Sequence, residues 1–255
     1  MERKTALITG ATSGIGASFA QRFARDGYDL ILTGRREEVI RERAEALEKT
    51  YGAGVEVHIL ELTDVERFDA FLEEISRRDV DVLVNNAGFG LHRDFHRGKI
   101  GKWEAMLDVH AAAPLKLIHA VVPKMLEKGE GTIINVSSIS AFLPLPKTSV
   151  YSSTKSFITV FSEALDFELG DRGIRVQSLC PGFTHTDFHS KMSVDKRKLA
   201  HLHWMSAEKV VDTSLSCIGR RKVVCIPGFR NRAMVFFLKL IPRKVYARLA
   251  RRANR

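Results

Sequence analysis

Residues 5–16 read Thr5-Ala6-Leu7-Ile8-Thr9-Gly10-Ala11-Thr12-Ser13-Gly14-Ile15-Gly16. A short apolar run ends in three glycines spaced GxxxGxG, and an amphipathic stretch follows over residues 15–26. That order predicts a strand, a sharp turn and the N-terminus of a helix. Glycine allows the turn and a close ligand approach, and the free N–H groups of a first helical turn favour an anion there. The spacing is not the GxGxxG of the general dinucleotide fingerprint, so the loop alone leaves a plain structural turn open.

Working outward, the same alternation repeats. Candidate strands cover residues 5–9, 28–33, 55–60, 80–84, 131–136, 174–179 and 222–226, and the first six contain continuous apolar segments, as in parallel strands covered on both faces. Helical periodicity falls over residues 15–26, 37–50, 64–78, 102–127 and 150–170. Strand–helix–strand units at this spacing build a parallel sheet with right-handed crossovers. The fold class is α/β: a single Rossmann-type doubly wound domain, with a mainly parallel seven-stranded sheet and helices on both faces. Residues 1–230 are read as this domain and residues 231–255 as a basic amphipathic C-terminal segment.

Composition narrows the class further. The 255 residues are 45% hydrophobic and 27% charged, as in a globular protein rather than a disordered or low-complexity one. No stretch approaches the ~18 apolar residues expected of a spanning helix. Residues 1–4 lead directly into the first strand and leave no room for a signal peptide, so a cytoplasmic location is expected. Cys180, Cys217 and Cys225 are odd in number and lack metal-ligand spacing, giving neither a disulfide framework nor a metal site. The net charge of +10 comes from the tail: residues 217–255 hold 12 Lys or Arg and no acid, leaving 28 bases against 30 acids elsewhere. A near-neutral body argues against a nucleic-acid partner.

The end of the second strand carries chemistry. An acid there would bind the adenosine ribose hydroxyl of NAD, but the residues are Thr33-Gly34-Arg35-Arg36. Two guanidinium groups suit a 2′-phosphate and point to NADP(H), with Arg35 preferred because it lies nearer the strand. Farther along, Tyr151-Ser152-Ser153-Thr154-Lys155 sets a phenol and an ammonium one helical turn apart, about 6 Å along the axis. A nearby cation lowers a phenol's pKa and makes it a proton donor and acceptor near neutrality. Ser138 closes the strand before this helix.

Taken together, the chain resembles the classical short-chain dehydrogenases/reductases over residues 4–190. The resemblance rests on the Thr9–Gly16 loop, Asn85-Asn86-Ala87-Gly88, Ser138, Tyr151 and Lys155, and Pro181-Gly182, in family order and spacing. It implies that Tyr151 is the general acid, that Lys155 holds the nicotinamide ribose and lowers the Tyr151 pKa, and that Ser138 holds the substrate oxygen. Gly10, Thr12, Ser13, Gly14, Ile15 and Gly16 would cradle the pyrophosphate. Asn86, Ala87 and Gly88 would line the adenosine side, while Pro181, Gly182, Thr184 and Thr186 would meet the nicotinamide carboxamide. Two departures stand out. His110 occupies the place of the family asparagine that completes a water-linked proton relay, and either supports that relay or marks a crippled enzyme. Glu61 replaces an Asp expected near the adenine, with Asp64 as a substitute contact.

After Pro181 comes an irregular lid, about residues 183–210, with Phe183, His185, Phe188, His189, His201, His203 and Trp204. The histidines lack a ligand pattern and read as solvated or substrate-lining. Phe142, Leu143 and Leu145 make the mouth apolar, which favours a lipophilic carbonyl or alcohol: keto-acyl, steroid-like or retinoid-like. In the tail, Ala233–Ile241 and the basic stretch after Pro242 read as a surface for anionic lipid, or as packing over the pocket or at a subunit contact. The expected activity is NADP(H)-dependent hydride transfer by a homodimer or homotetramer, cytoplasmic or membrane-peripheral. The alternative is a catalytically weak NADPH-binding sensor or membrane-recruited scaffold.

Overall fold

A computed structural model describes residues 3–186 and 204–252. Its sheet has seven strands: β1 (Thr5–Thr9), β2 (Asp29–Gly34), β3 (Val55–Ile59), β4 (Val82–Asn85), β5 (Gly131–Val136), β6 (Ile174–Leu179) and β7 (Val224–Cys225). Their order is β3-β2-β1-β4-β5-β6-β7, with every neighbouring pair parallel. The fold class is the one expected. Strand alternation divides the core: Ala6, Ile8, Leu30, Leu32, Val84 and Ile134 face one side, and Leu7, Ile31, Leu83 and Ile133 the other.

On the first side lie α1 (Gly14–Arg25), α2 (Glu37–Tyr51) and α7 (Ala207–Gly219), which bury Phe19, Phe23, Ile40, Leu47 and Val210. On the second lie α3 (Val65–Ser76), α5 (Ala113–Lys128) and α6 (Ser149–Leu169), contributing Phe68, Ile75, Leu117, Val121, Met125 and Leu169. α4 (Ile100–Leu107) leads into α5, and α8 (Phe229–Leu240) and α9 (Arg243–Arg252) end the described chain. The strand order reverses between β1 and β4, so a crevice opens at the carboxyl ends of these strands, the usual ligand position in such sheets.

Three expectations need correction. The seventh strand is two residues long, not five; Pro227 and Gly228 follow one residue later, and only Val224 and Cys225 pair with β6. The helix expected at residues 102–127 is present over Ile100–Lys128 but is not α-helical throughout: a π-turn, Asp108–Ala112, lies between α4 and α5. Ile100–Lys128 is also long enough, and over an 18-residue window apolar enough, to cross a membrane, although no such stretch was expected. Its Leu117, Val121 and Met125 are core residues under the sheet, which explains that hydropathy.

Candidate active site

The glycine loop is built as its sequence requires. Gly10 and Gly14 have φ of +66° and +60°, a region that side chains with a Cβ avoid. A Cβ on Gly14 would stand 2.8 Å from Thr186 Cγ2, and one on Gly16 would strike the Asn86 amide. Gly10 and Gly14 line the crevice, whereas Gly16 serves close packing beneath it. Ser13 precedes α1 without capping it through its side chain, so the first-turn N–H groups of α1 have no cap from that hydroxyl.

The Thr9 hydroxyl ties this loop to the end of β4, accepting from the Asn86 and Ala87 N–H groups, each at 3.0 Å. Asn86 Nδ2 returns bonds to the Thr9 and Gly10 carbonyls, at 2.8 and 3.1 Å. Asn85 is a buried member of β4. It donates to Asn135 Oδ1 at 2.8 Å, and Asn135 donates to Ser162 Oγ at 2.9 Å, bracing β4, β5 and α6.

At the adenosine end the arginines divide their work. Arg35 pairs with Glu61 at 2.8 Å. Arg36 donates to Thr12 Oγ1 of the glycine loop at 2.9 Å, and both arginines line the crevice. Arg43, from α2, reaches the same residue: Nη2 lies 3.5 Å from the Thr12 carbonyl, and Nε is buried with no hydrogen-bond partner. Burial, then the nearby Arg36 cation, lowers the Arg43 pKa. Two guanidiniums converging on one threonine, one with an orphaned N–H, fit an anion such as a 2′-phosphate. The sequence reading missed Arg43; its signal was a position seven residues beyond Arg36, two turns along the same helix. Asp64 lies outside the crevice lining, because its carboxylate caps α3 by accepting the Arg67 N–H at 3.3 Å.

At the other end, Ser138, Tyr151 and Lys155 meet on one wall of the crevice. Ser138 follows β5, and its Oγ accepts the Ser140 N–H at 3.1 Å. Ser137 pins α6 to β5 by donating to the Lys155 carbonyl at 2.8 Å, which fixes the register of the helix carrying Tyr151 and Lys155. Lys155 Nζ donates to the Val136 carbonyl at 2.8 Å and lies 5.8 Å from the Tyr151 ring centroid.

The electrostatics differ from expectation. Burial pushes the Tyr151 phenol up to about 12, with the Ser138 hydrogen bond pulling the other way. The expected lowering by Lys155 is not seen: burial sets the direction, and the Lys155 ammonium is turned to a backbone carbonyl. Burial likewise lowers Lys155 to about 8.

His110 sits in the π-turn, buried against the site. Its Nε2 accepts the Phe89 N–H at 3.0 Å, which makes Nδ1 the protonated nitrogen, 3.2 Å from Thr154 Oγ1. Thr154 in turn donates to the Tyr151 carbonyl at 2.9 Å. Burial and then the Lys155 cation hold the imidazole pKa well below its ordinary value, so the ring is neutral. Pro114, at the start of α5, lacks the N–H that an α-helix would return to the His110 carbonyl.

Pro181, Gly182, Thr184 and Thr186 line the crevice beyond β6. The lid is closed at its base by His185 N–H to the Met205 carbonyl and Met205 N–H to the Phe183 carbonyl, both 2.9 Å. Trp204 packs on Phe183 and His185, each at 5.3 Å between ring centroids. Phe188, His189, His201 and His203 lie outside the described residues. Away from the crevice, Glu56, His58 and Glu74 place ligand atoms within 4.8 Å of one another, with Arg78 bridging Glu56 and Glu74.

Comparison with known proteins agrees with this geometry. The short chain dehydrogenase family profile matches residues 4–197. A sulfoacetaldehyde reductase of Chromohalobacter salexigens is 38% identical over 188 residues, covering 71% of this chain and 73% of that protein. A short-chain dehydrogenase of Sphingobium yanoikuyae, solved with NADPH, superposes with a TM-score of 0.84 at 31% identity, covering 94% and 96% of the two chains. The bulky-bulky ketone specific alcohol dehydrogenase of Comamonas testosteroni gives 0.80 at 27% identity, covering 95% and 96%. The glycine loop, the Ser138–Tyr151–Lys155 wall and these likenesses lead to one conclusion: the chain belongs to the short-chain dehydrogenase/reductase family of oxidoreductases.

Proposed function

We propose that the protein is a cytoplasmic NADPH-dependent carbonyl reductase acting on a lipophilic carbonyl of keto-acyl, steroid-like or retinoid-like type. The observation that carries this reading is one crevice lined by Arg35 and Arg36 at one end and by Ser138, Tyr151 and Lys155 at the other, with Arg43 reaching the Thr12 carbonyl behind the glycine loop. Arg36, Arg43 and Thr12 would hold the 2′-phosphate, the N-terminus of α1 the pyrophosphate, and Lys155 the nicotinamide ribose. Thr184, Thr186 and the backbone of Pro181 and Gly182 would hold the carboxamide. NADPH, when bound, supplies the hydride. The NADPH complex of the Sphingobium relative supports the choice of cofactor.

The Ser138 hydroxyl holds the carbonyl oxygen, and Tyr151 delivers its proton to that oxygen as negative charge develops. A phenol raised to about 12 by burial keeps its proton at neutral pH and is therefore available as a proton donor. Phe142, Leu143 and Leu145 are not among the crevice-lining residues; Phe89 and Leu91, which line the crevice and pack with Tyr151, support a lipophilic substrate, as does the bulky-ketone specificity of the Comamonas enzyme. The sulfoacetaldehyde relative represents the contrary case of a small polar aldehyde, and a substrate panel must include one. Exposed Phe157, Val160 and Phe167 on α6 and Leu115 on α5 offer apolar faces for a homodimer or homotetramer.

The sensor or scaffold alternative rests on His110 and on the basic tail. A neutral ring that holds the Phe89 N–H and Thr154 supports an active enzyme, with the His110 carbonyl, which Pro114 cannot bond, as the water anchor of the relay. The test is NADPH oxidation against lipophilic ketones and aldehydes. Tyr151→Phe is expected to lower kcat by about 10²–10⁴-fold with NADPH affinity intact. Full turnover in that variant would remove Tyr151 from the proposed role.

A further inference from the structure

Helix α8 has two faces. Asn231 and Val235 are buried, with Asn231 against Gly182 and bonded to the Pro227 carbonyl at 2.7 Å. The opposite face repeats apolar residues at Phe229, Ala233, Phe236, Phe237 and Leu240, a stripe of helical period. Phe229, Phe236, Phe237 and Leu240 are each more than 60% exposed. In projection Arg232 borders the stripe on one side and Arg230 on the other, and α9 adds exposed Val245 and Leu249 with Arg243, Lys244, Arg248 and Arg251. Residues 217–255 contain no acid to neutralise these cations.

We propose that the outer face of α8 and α9 docks on an anionic phospholipid bilayer. An apolar stripe flanked by cations matches the acyl boundary and the headgroup layer together. A second copy fits worse, because a two-fold contact sets this face against itself and brings two acid-free basic segments together. A nucleic acid would use the cations but not the four phenylalanine and leucine side chains. The inner side of the same segment touches the loop that follows Ser138: Lys239 Nζ lies 4.5 Å over the Phe142 ring, and Tyr246 donates to the Pro144 carbonyl at 3.0 Å. Docking therefore sets the loop that follows Ser138 beside the lipid. The docking itself is independent of the substrate assigned above.

The experiment is co-sedimentation of the full chain with vesicles of phosphatidylcholine alone and of phosphatidylcholine with 30% phosphatidylserine. Binding only to the anionic vesicles, and release by salt, are expected. Phe236→Ser/Phe237→Ser, and separately Arg243→Glu/Lys244→Glu/Arg248→Glu, should each lower partitioning by about tenfold or more while NADPH fluorescence is retained. No sedimentation of the unaltered chain with anionic vesicles overturns the proposal. So does loss of binding in the charge variant with none in the phenylalanine variant, the behaviour of a polyanion site. A fall in solution mass on Phe236→Ser/Phe237→Ser, without vesicle binding by the parent, identifies a second copy as the occupant and also overturns it.

Discussion

Lys155→Met should make the cofactor-free protein more stable while removing its turnover. The ammonium is 6% exposed, and burial lowers its pKa from 10.5 to about 8. Those ~2.5 units, at about 1.36 kcal/mol each, put the destabilisation from the buried cation at roughly 3 kcal/mol at pH 7. Methionine removes that term, but it orphans the Val136 carbonyl that Nζ now bonds at 2.8 Å, a loss of about 1 kcal/mol. The net gain of about 2 kcal/mol corresponds to roughly 4–8 °C in Tm for a chain of this size. The pH dependence gives the sharper criterion. The folded lysine has the depressed pKa, so the unfolded chain binds the extra proton between about pH 8 and 10.5. The parent therefore gains stability as pH rises through that window, the variant does not, and the gap between them closes. Urea melts at pH 7 and pH 10, with NADPH absent, measure both quantities. A destabilised variant, or a gap independent of pH, would refute the assignment of Lys155 as an uncompensated buried cation.

Two further variants address the cofactor groove. Arg43→Ala should weaken NADPH binding by about 10–100-fold and leave NADH unchanged, while Arg35→Ala, which breaks the Glu61 pair, should do much less; fluorescence titration with both nucleotides separates them. Gly14→Ala forces a Cβ into a left-handed position and against Thr186, so Tm should fall by an amount equivalent to about 1–2 kcal/mol and the KM for NADPH should rise. Adding Thr186→Ser removes the crowding methyl and should recover part of the KM but not the backbone strain.

The sheet and the catalytic wall were legible because they rest on local patterns. Apolar runs set the strands, three glycines set the loop, and the i, i+4 spacing of Tyr151 and Lys155 needs only a helix. What was not legible depends on long-range burial or on competing partners. The direction of the Tyr151 shift turns on how deeply the phenol is buried and on Lys155 choosing the Val136 carbonyl, neither of which spacing encodes. Arg35 and Arg36 are equivalent as sequence, and only the presence of Glu61 beside one and Thr12 beside the other separates them. Arg43 stayed hidden for a similar reason: on an amphipathic helix rich in Arg and Glu, nothing local distinguishes the one guanidinium that bends under the glycine loop. The π-turn had a visible cause in Pro114, which removes one helical hydrogen bond, yet a proline two residues into a helix is also an ordinary start signal.

His110 is where these lines meet. An asparagine side chain offers one carbonyl acceptor and one N–H₂ donor; a neutral imidazole protonated on Nδ1 offers an acceptor at Nε2 and a donor at Nδ1. The structure uses that pair on the Phe89 N–H and the Thr154 hydroxyl, so the ring preserves the polarity an amide would have at this point. His110→Asn should therefore keep turnover within a few-fold of the parent, whereas His110→Leu strands a buried N–H and a hydroxyl and should lower stability by about 2–5 kcal/mol. The pH dependence separates the two nitrogenous residues. Because the folded imidazole pKa lies well below 6.5, the contribution of His110 is complete above that value and is lost as pH falls toward the folded pKa. Asparagine abolishes that acid-side loss, so the stability curve of His110→Asn should be flatter below pH 6.5. A strong rise in turnover on His110→Asn would mean that the histidine had disabled the relay and would favour the sensor reading. A leucine variant as stable as the parent would mean that the two hydrogen bonds do not hold the site.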